Sequence, residues 1–230
     1  MANIVILTGA GISAESGLGT FRDKDGLWAR HRLEDVATPE GFARDPALVH
    51  AFYNARRGKA ATAEPNAAHR AIARLQADPA HDVFLVTQNL DRLHEKSGSH
   101  QVLHMHGVLD GALCSSCGHR WTAPMEMQAG AACIACHAPT ARPDIVWFGE
   151  MPHGLDQIDG RLHRADIFAA IGTSGQVYPA AGFALAARNA GAHLVEINLE
   201  PTQGAQHFDE LYTGPATQAV AAWVDTVLAL

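Results

Sequence analysis

The sequence predicts an α/β protein: a Rossmann-like parallel sheet, accompanied by a smaller lobe that joins a helical insertion to a metal-stapled module. Three observations carry this expectation. Short β-branched or aliphatic runs recur at residues 4–8, 83–87, 145–148, 167–171 and 193–198, each with the length and continuity of a strand buried on both faces. Helix-like patterns separate several of them, the alternation that builds doubly wound sheets. Four cysteines fall in two tight pairs, Cys114/Cys117 and Cys133/Cys136, within a stretch of little periodicity.

The composition fits one folded domain with insertions: 230 residues, 47% hydrophobic and 18% charged, which excludes disorder as the main theme. Seventeen Lys and Arg against 24 Asp and Glu leave a formal charge of -7. That charge opposes a non-specific grip on nucleic acid or an anionic membrane, so a small-molecule or protein substrate is expected. No run approaches the roughly 20 apolar residues of a membrane span, and residues 4–7 are too short for a signal-peptide core. The expectation is a cytoplasmic protein. Four cysteines are too few for a disulfide scaffold at this size, and their pairing suits a metal in a reducing compartment.

The first strand runs into Gly9-Ala10-Gly11-Ile12-Ser13-Ala14, a G-x-G-x-x-A turn in which glycines let the backbone approach a pyrophosphate at a helix N-terminus. A dehydrogenase would continue with a second strand ending in an acidic residue roughly 20 positions later. Residues 20–35 are instead polar with no strand-like run, and 27–63 read as helices interrupted at Pro39 and Pro46. Asn66 can cap a helix that carries Ala68, Ile72 and Leu75 on one face. After the strand at 83–87 come Gln88, Asn89 and Asp91, amide donors and a carboxylate suited to a ribose or amide ligand. His104 and His106 follow, either of which suits a general base by its residue type. Cys114-x2-Cys117-x15-Cys133-x2-Cys136 has the spacing of four thiolates closing a tetrahedral zinc site with no open position, hence a structural one; His119 and His137 are alternative ligands. A helix over about 180–189 stops before Gly191, Asn198 and Glu200 lie at the end of a late strand, and Val220, Trp223, Val224 and Val227 keep helical spacing after Gly214-Pro215. The expected partition assigns 1–27, 70–112 and 142–230 to the nucleotide domain. Residues 28–69 and 113–141 form the small one.

GAGISAESGLGTFR, TQNLDRLH, HGVL, the four cysteines, RPDIVWFGE, GTS, VYPAA and INLE stand in this order over almost the whole chain. On these motifs the sequence resembles the sirtuins, NAD-dependent protein-lysine deacylases. The resemblance implies that Gly9, Ala10, Gly11, Ser13, Phe21 and Arg22 face the pyrophosphate and nicotinamide side of NAD. Gln88, Asn89 and Asp91 would line the ribose and nicotinamide pocket, and Gly172, Thr173, Ser174, Asn198, Leu199, Glu200 and Ala216 the adenosine half. It selects His106 over His104 as the base. Ile145, Val146, Trp147 and Phe148 would lie along an acylated-lysine protein or peptide as an added strand. In such enzymes the acyl oxygen attacks the ribose carbon bearing nicotinamide, and the products are lysine, nicotinamide and O-acyl-ADP-ribose. NAD is consumed, with no hydride transfer.

Tyr53 and Arg56 are three apart in the helical insertion, so a helix points both from one face. A guanidinium beside a phenol suits an acyl tail ending in a carboxylate, and the pair resembles the Tyr-x-x-Arg motif of the class III sirtuins, which remove succinyl and malonyl groups. The bland alternative is a solvated Arg56 near Arg57 and Lys59 with a half-buried Tyr53. Two rival functions remain at this level: a mono-ADP-ribosyl transferase sharing the NAD pocket, and a non-enzymatic NAD-sensing module, which would need no base. The sequence leaves the oligomeric state open.

Overall fold

The computed structural model describes residues 1–19 and 31–229. The chain begins with β1 (Ala2–Thr8), a 3-10 helix (Ala10–Ser16), α1 (Leu33–Val36), α2 (Pro39–Arg44), α3 (Pro46–Thr62), α4 (Ala67–Gln76) and β2 (His81–Thr87). It continues through α5 (Leu93–Lys96), β3 (Val102–His104), β4 (Gly107–Cys114), β5 (Arg120–Thr122), β6 (Ala141–Ile145), α6 (Leu155–Leu162) and β7 (Ile167–Ile171). The last elements are α7 (Phe183–Asn189), β8 (His193–Asn198), β9 (Glu210–Thr213) and α8 (Ala216–Leu228). Two compact units result, one of Met1–Leu18, Glu64–Met105 and Gly154–Leu230, the other of Gly19–Ala63 and His106–His153. Compared with the sequence partition, the large unit gives up β4 and β6, whose antiparallel pairing belongs to a separate sheet.

The large unit is a six-stranded parallel sheet in the order β3-β2-β1-β7-β8-β9. Counted within this unit, that is the 3-2-1-4-5-6 order of dinucleotide folds, with its reversal between β1 and β7. Alternate residues serve opposite faces, as the period of two requires. Ile4 and Ile6 pack with Ile72 and Leu75 of α4 and Val220, Trp223 and Val224 of α8, while Val5 and Leu7 pack with Ile158 and Leu162 of α6 and Phe183 and Ala187 of α7. Each such fully buried aliphatic side chain contributes roughly 1.5–3 kcal/mol. Asn66 caps α4 as expected, accepting from the N–H groups of Ala68 and His69.

The small unit holds the antiparallel sheet β5-β4-β6. Its helices begin where the sequence shows breaks: Pro39 opens α2 behind the Thr38 cap, and Pro46 opens α3 behind the Asp45 cap, because proline suits the first helical turn. The strand expected at 145–148 is corrected. Only Ile145 belongs to a strand, and that strand is in the small antiparallel sheet; an apolar run does not by itself distinguish the two settings. Among the described residues, no helix is long and apolar enough to cross a membrane.

Candidate functional site

In the large unit the sequence-predicted residues gather at the carboxyl ends of β1, β2, β7 and β8, where open α/β sheets bind ligands. The glycine turn does more than admit a ligand. A Cβ on Gly9 would meet the Gly172 carbonyl at 2.8 Å, and one on Gly11 would meet the Gly172 Cα at 2.7 Å. Gly172 itself has φ +62, and a Cβ there would lie 2.5 Å from the Ile12 nitrogen. The three glycines therefore let the loops after β1 and β7 touch, backbone to backbone, with Gly11 N–H donating to the Gly172 carbonyl at 2.9 Å. Ala10 opens a seven-residue 3-10 helix, where the dinucleotide pattern leads one to expect an α-helix.

Gln88 Nε2 donates to Thr173 Oγ1 at 3.0 Å, and Asn198 Nδ2 donates to the Thr173 carbonyl at 3.0 Å. Asn198 also reaches Glu196, a buried carboxylate that accepts from the N–H and hydroxyl of Thr202. Ser174 Oγ accepts from Gln176 N–H at 3.4 Å. Leu199 and Glu200 are exposed beyond β8. Ala216 opens α8, and Glu15 closes that helix end by accepting from Thr217 N–H and Oγ1 at 2.9 and 2.8 Å. Phe21 and Arg22 lie outside the described residues.

Ser13, Asn89 and Asp91 form one buried network. Asn89 Nδ2 donates to the Gly9 carbonyl and to Ser13 Oγ, at 3.1 and 3.2 Å, and Ser13 Oγ donates to Asp91 Oδ2 at 3.2 Å. Leu93 N–H donates to the other Asp91 oxygen at 3.1 Å. Burial pushes the Asp91 carboxyl up, against these hydrogen bonds. Two histidines that sequence reasoning did not single out complete the network. His69 Nε2 stands 3.4 Å from Ser13 Oγ, and His94 Nε2 stands 3.0 Å from Thr8 Oγ1. Burial, the largest cause in each case, holds His69 down to about 4 and His94 to about 3. The signal for His94 was its place in the TQNLDRLH motif; His69 gave none beyond its position in the first turn of α4.

His104 is engaged at both ring nitrogens, Nδ1 with the Asn89 carbonyl at 3.0 Å and Nε2 with Glu95 Oε1 at 2.8 Å. Burial opposes ionisation of Glu95, yet His104 and Arg92 bring it down to about 2. His104 thus acts as a brace for the Asn89 loop.

The small unit contains the four cysteines and the Tyr53/Arg56 pair. The four Sγ atoms lie within 4.8 Å of one another. Cys114 and Cys136 sulfurs are 3.6 Å apart and Cys117 and Cys133 sulfurs 3.8 Å, which matches the edge of about 3.8 Å of a tetrahedron with zinc–sulfur distances of about 2.3 Å. Cys117 N–H and Ala135 N–H donate to the sulfurs of Cys114 and Cys133, the support a thiolate-held metal uses. Among the described residues neither His119 nor His137 joins this group.

Tyr53 is buried in α3, and the Arg56 guanidinium carbon lies 5.9 Å from its ring centroid. Arg57, next along the helix, is 4% exposed and donates to the carbonyls of Leu109 and Met125 and to Asn54 Oδ1. Asn54 in turn exchanges two hydrogen bonds with the Met127 backbone, at 2.9 and 3.0 Å. These two side chains staple α3 to the segment between the cysteine pairs. Trp147 Nε1 donates to the Tyr53 hydroxyl at 3.1 Å. Around Trp147 the backbone N–H groups are engaged: Val146 with the His106 carbonyl, Trp147 with Glu150 Oε2 and Phe148 with the Ala37 carbonyl, each at 2.9 Å.

Residues 9–179 match the Sir2 family. An NAD-dependent protein deacylase of Caulobacter vibrioides is 54% identical over 230 residues, covering 98% of this chain and 97% of its own. A solved Sir2 homologue, a point mutant in complex with ADP-ribose, superposes with a TM-score of 0.90 at 40% identity, covering 99% of this chain and 93% of that one. A Sir2 homologue in complex with NAD gives a TM-score of 0.88 at 39% identity, with 98% and 89% covered.

Proposed function

The chain belongs to the Sir2 family, and from that premise we propose that it is an NAD-dependent protein-lysine deacylase that prefers acyl groups ending in a carboxylate, succinyl and malonyl, over acetyl. The observation that carries the acyl preference is the Arg56 guanidinium beside the buried Tyr53 on one helix. An ionised acyl tail entering an apolar wall needs a fixed cation and a hydroxyl donor, since an unpaired buried carboxylate costs several kcal/mol. Acetyl-lysine gains nothing from either group.

Bound NAD supplies the ribose carbon at which nicotinamide is displaced by the acyl oxygen. The chain's own residues hold and orient the reactants. Gly9, Ala10, Gly11, Phe21 and Arg22 receive the pyrophosphate side, with Ser13. Gln88, Asn89 and Asp91 orient the ribose and nicotinamide, and Asp91 is itself steadied by Ser13 Oγ and Leu93 N–H. Gly172, Thr173, Ser174, Asn198, Leu199, Glu200 and Ala216 receive the adenosine half. His106 takes the proton from a ribose hydroxyl, the role His104 is unsuited to because both of its nitrogens are engaged. Ile145, Val146, Trp147 and Phe148 lie along the peptide. Because the N–H groups of Val146, Trp147 and Phe148 are already donated inward, pairing there rests on carbonyl oxygens. Cys114, Cys117, Cys133 and Cys136 hold a structural zinc, which supplies stability and no open coordination position.

The test is kcat/KM for one lysine peptide carrying succinyl or acetyl, in the native chain and in Arg56→Met. A hydrogen-bonded charge pair of about 1.5–3 kcal/mol predicts a loss of roughly tenfold to hundredfold for succinyl in the variant, and a far smaller one for acetyl. Equal losses on both peptides would return Arg56 to a purely structural role.

A further inference from the structure

A phenol has one proton to donate and lone pairs to accept with, whereas an indole N–H can only donate. Trp147 Nε1 donates to the Tyr53 oxygen at 3.1 Å, with both side chains almost fully buried. Among the described residues, Trp147 is the hydrogen-bond partner of that hydroxyl. The Tyr53 proton is therefore turned away from the indole. Among the described residues, the two groups against its ring offer no acceptor in return: the Phe52 ring stands edge-on to Tyr53 with centroids 5.1 Å apart, and the Arg56 guanidinium carries donors only.

Trp147 is itself held rigidly. The Arg142 guanidinium stacks 3.7 Å from its ring centroid, and the Phe42 ring packs at 5.2 Å. Arg142 makes a bidentate pair with Glu150 at 2.7 and 2.8 Å and donates to the Ile145 carbonyl at 2.7 Å. Glu150 Oε2 also accepts the Trp147 N–H, so this carboxylate already has donors at both oxygens. A side chain held by a stacked guanidinium, a packed ring and its own backbone sets the direction of the hydrogen bond its indole makes.

On this basis we infer that Trp147 is a specificity-determining positioning residue: by occupying a lone pair of Tyr53, it aims the phenol proton at the terminal carboxylate of a dicarboxylic acyl group. This rests on the acyl preference proposed above and adds to it the residue that sets the polarity of the pocket. A hydrogen bond to an ionised acceptor is short and strong only when the donor points along it, so a freely rotating hydroxyl delivers less of the interaction. Burial, which pushes the Tyr53 phenol up despite the nearby Arg56 charge, keeps the proton on the oxygen to be aimed.

The experiment reads the ratio of kcat/KM for succinyl-lysine over acetyl-lysine, so that general damage to the fold or to peptide binding cancels. Trp147 is replaced by 3-benzothienylalanine, which keeps the bicyclic shape and lacks the N–H, and in parallel by phenylalanine; each is made in the native chain and together with Tyr53→Phe. The expected result is a fall in the ratio of about fivefold or more for the benzothienyl chain, and no further fall once Tyr53 has lost its hydroxyl. An unchanged ratio in the benzothienyl chain, or an equal fall with and without the Tyr53 hydroxyl, overturns the inference while the native preference stands. A native chain with no succinyl preference removes the proposed acyl selectivity itself, and this inference with it.

Discussion

Lowering the pH from about 7.5 to about 5.5 should destabilise the large unit through His69 and His94. Both rings are fully buried and held uncharged, with values near 4 and 3. An unfolded chain returns each imidazole to about 6.5. Between these limits the unfolded state binds protons that the folded state refuses, so the stability is fully present above about pH 6.5 and is lost progressively as the pH falls towards 4. At about pH 5.5 the loss is about 1.4 kcal/mol for each histidine and about 2.8 kcal/mol for the pair. That figure is set by the unfolded value, because both folded values lie well below 5.5. The rings are 5.0 Å apart, so a first proton would make a second harder to add. The buried Asp91 carboxyl is shifted up and works in the opposite direction, while His50 is shifted down by burial and adds to the loss. Both effects cancel when the native chain is compared with the His69→Gln/His94→Gln chain. The assay is urea unfolding followed by tryptophan fluorescence at the two pH values, and the double variant should lose about 2.8 kcal/mol less than the native chain. Identical pH dependence in the two chains would refute the claim that these histidines are held neutral.

The remaining predictions concern the glycine contact and the cysteines. Gly11→Ala places a methyl 2.7 Å from the Gly172 Cα and should cost about 1–3 kcal/mol. Gly160→Ala, in α6 with nothing within 4 Å of the new methyl, should instead stabilise by about 0.5–1 kcal/mol; thermal denaturation of the two chains side by side distinguishes them. Cys133→Ser should lose zinc and lower the melting temperature, because metal binding is coupled to folding. Met125 and Met127 tie the cysteine module to α3 through Asn54 and Arg57, so hydrogen exchange in α3 should rise in that variant. Full zinc content by atomic absorption, or unaltered protection of α3, would contradict these two expectations respectively.

The sequence by itself determined what depends on neighbours along the chain. The runs at 83–87, 167–171 and 193–198 became strands, Asn66 capped α4, Pro39 and Pro46 opened helices, and the cysteine spacing fixed a four-sulfur cluster. Tyr53 and Arg56 fell on one helix because helical spacing is a local property. Only the tertiary structure decided which sheet a strand joins, as with Ile145, and why the glycines must be glycines, since Gly9 and Gly11 press on Gly172 from the other side of the sheet's reversal point. It also decided which charged and polar groups are buried. Arg57 is a buried staple, His69 and His94 carry a polar network, and Trp147 meets Tyr53 from 94 residues away. Periodicity reports the local backbone and the face a side chain takes. The partner that satisfies a buried donor or acceptor comes from wherever the fold brings one within about 3 Å, and no spacing rule along the chain encodes that distance.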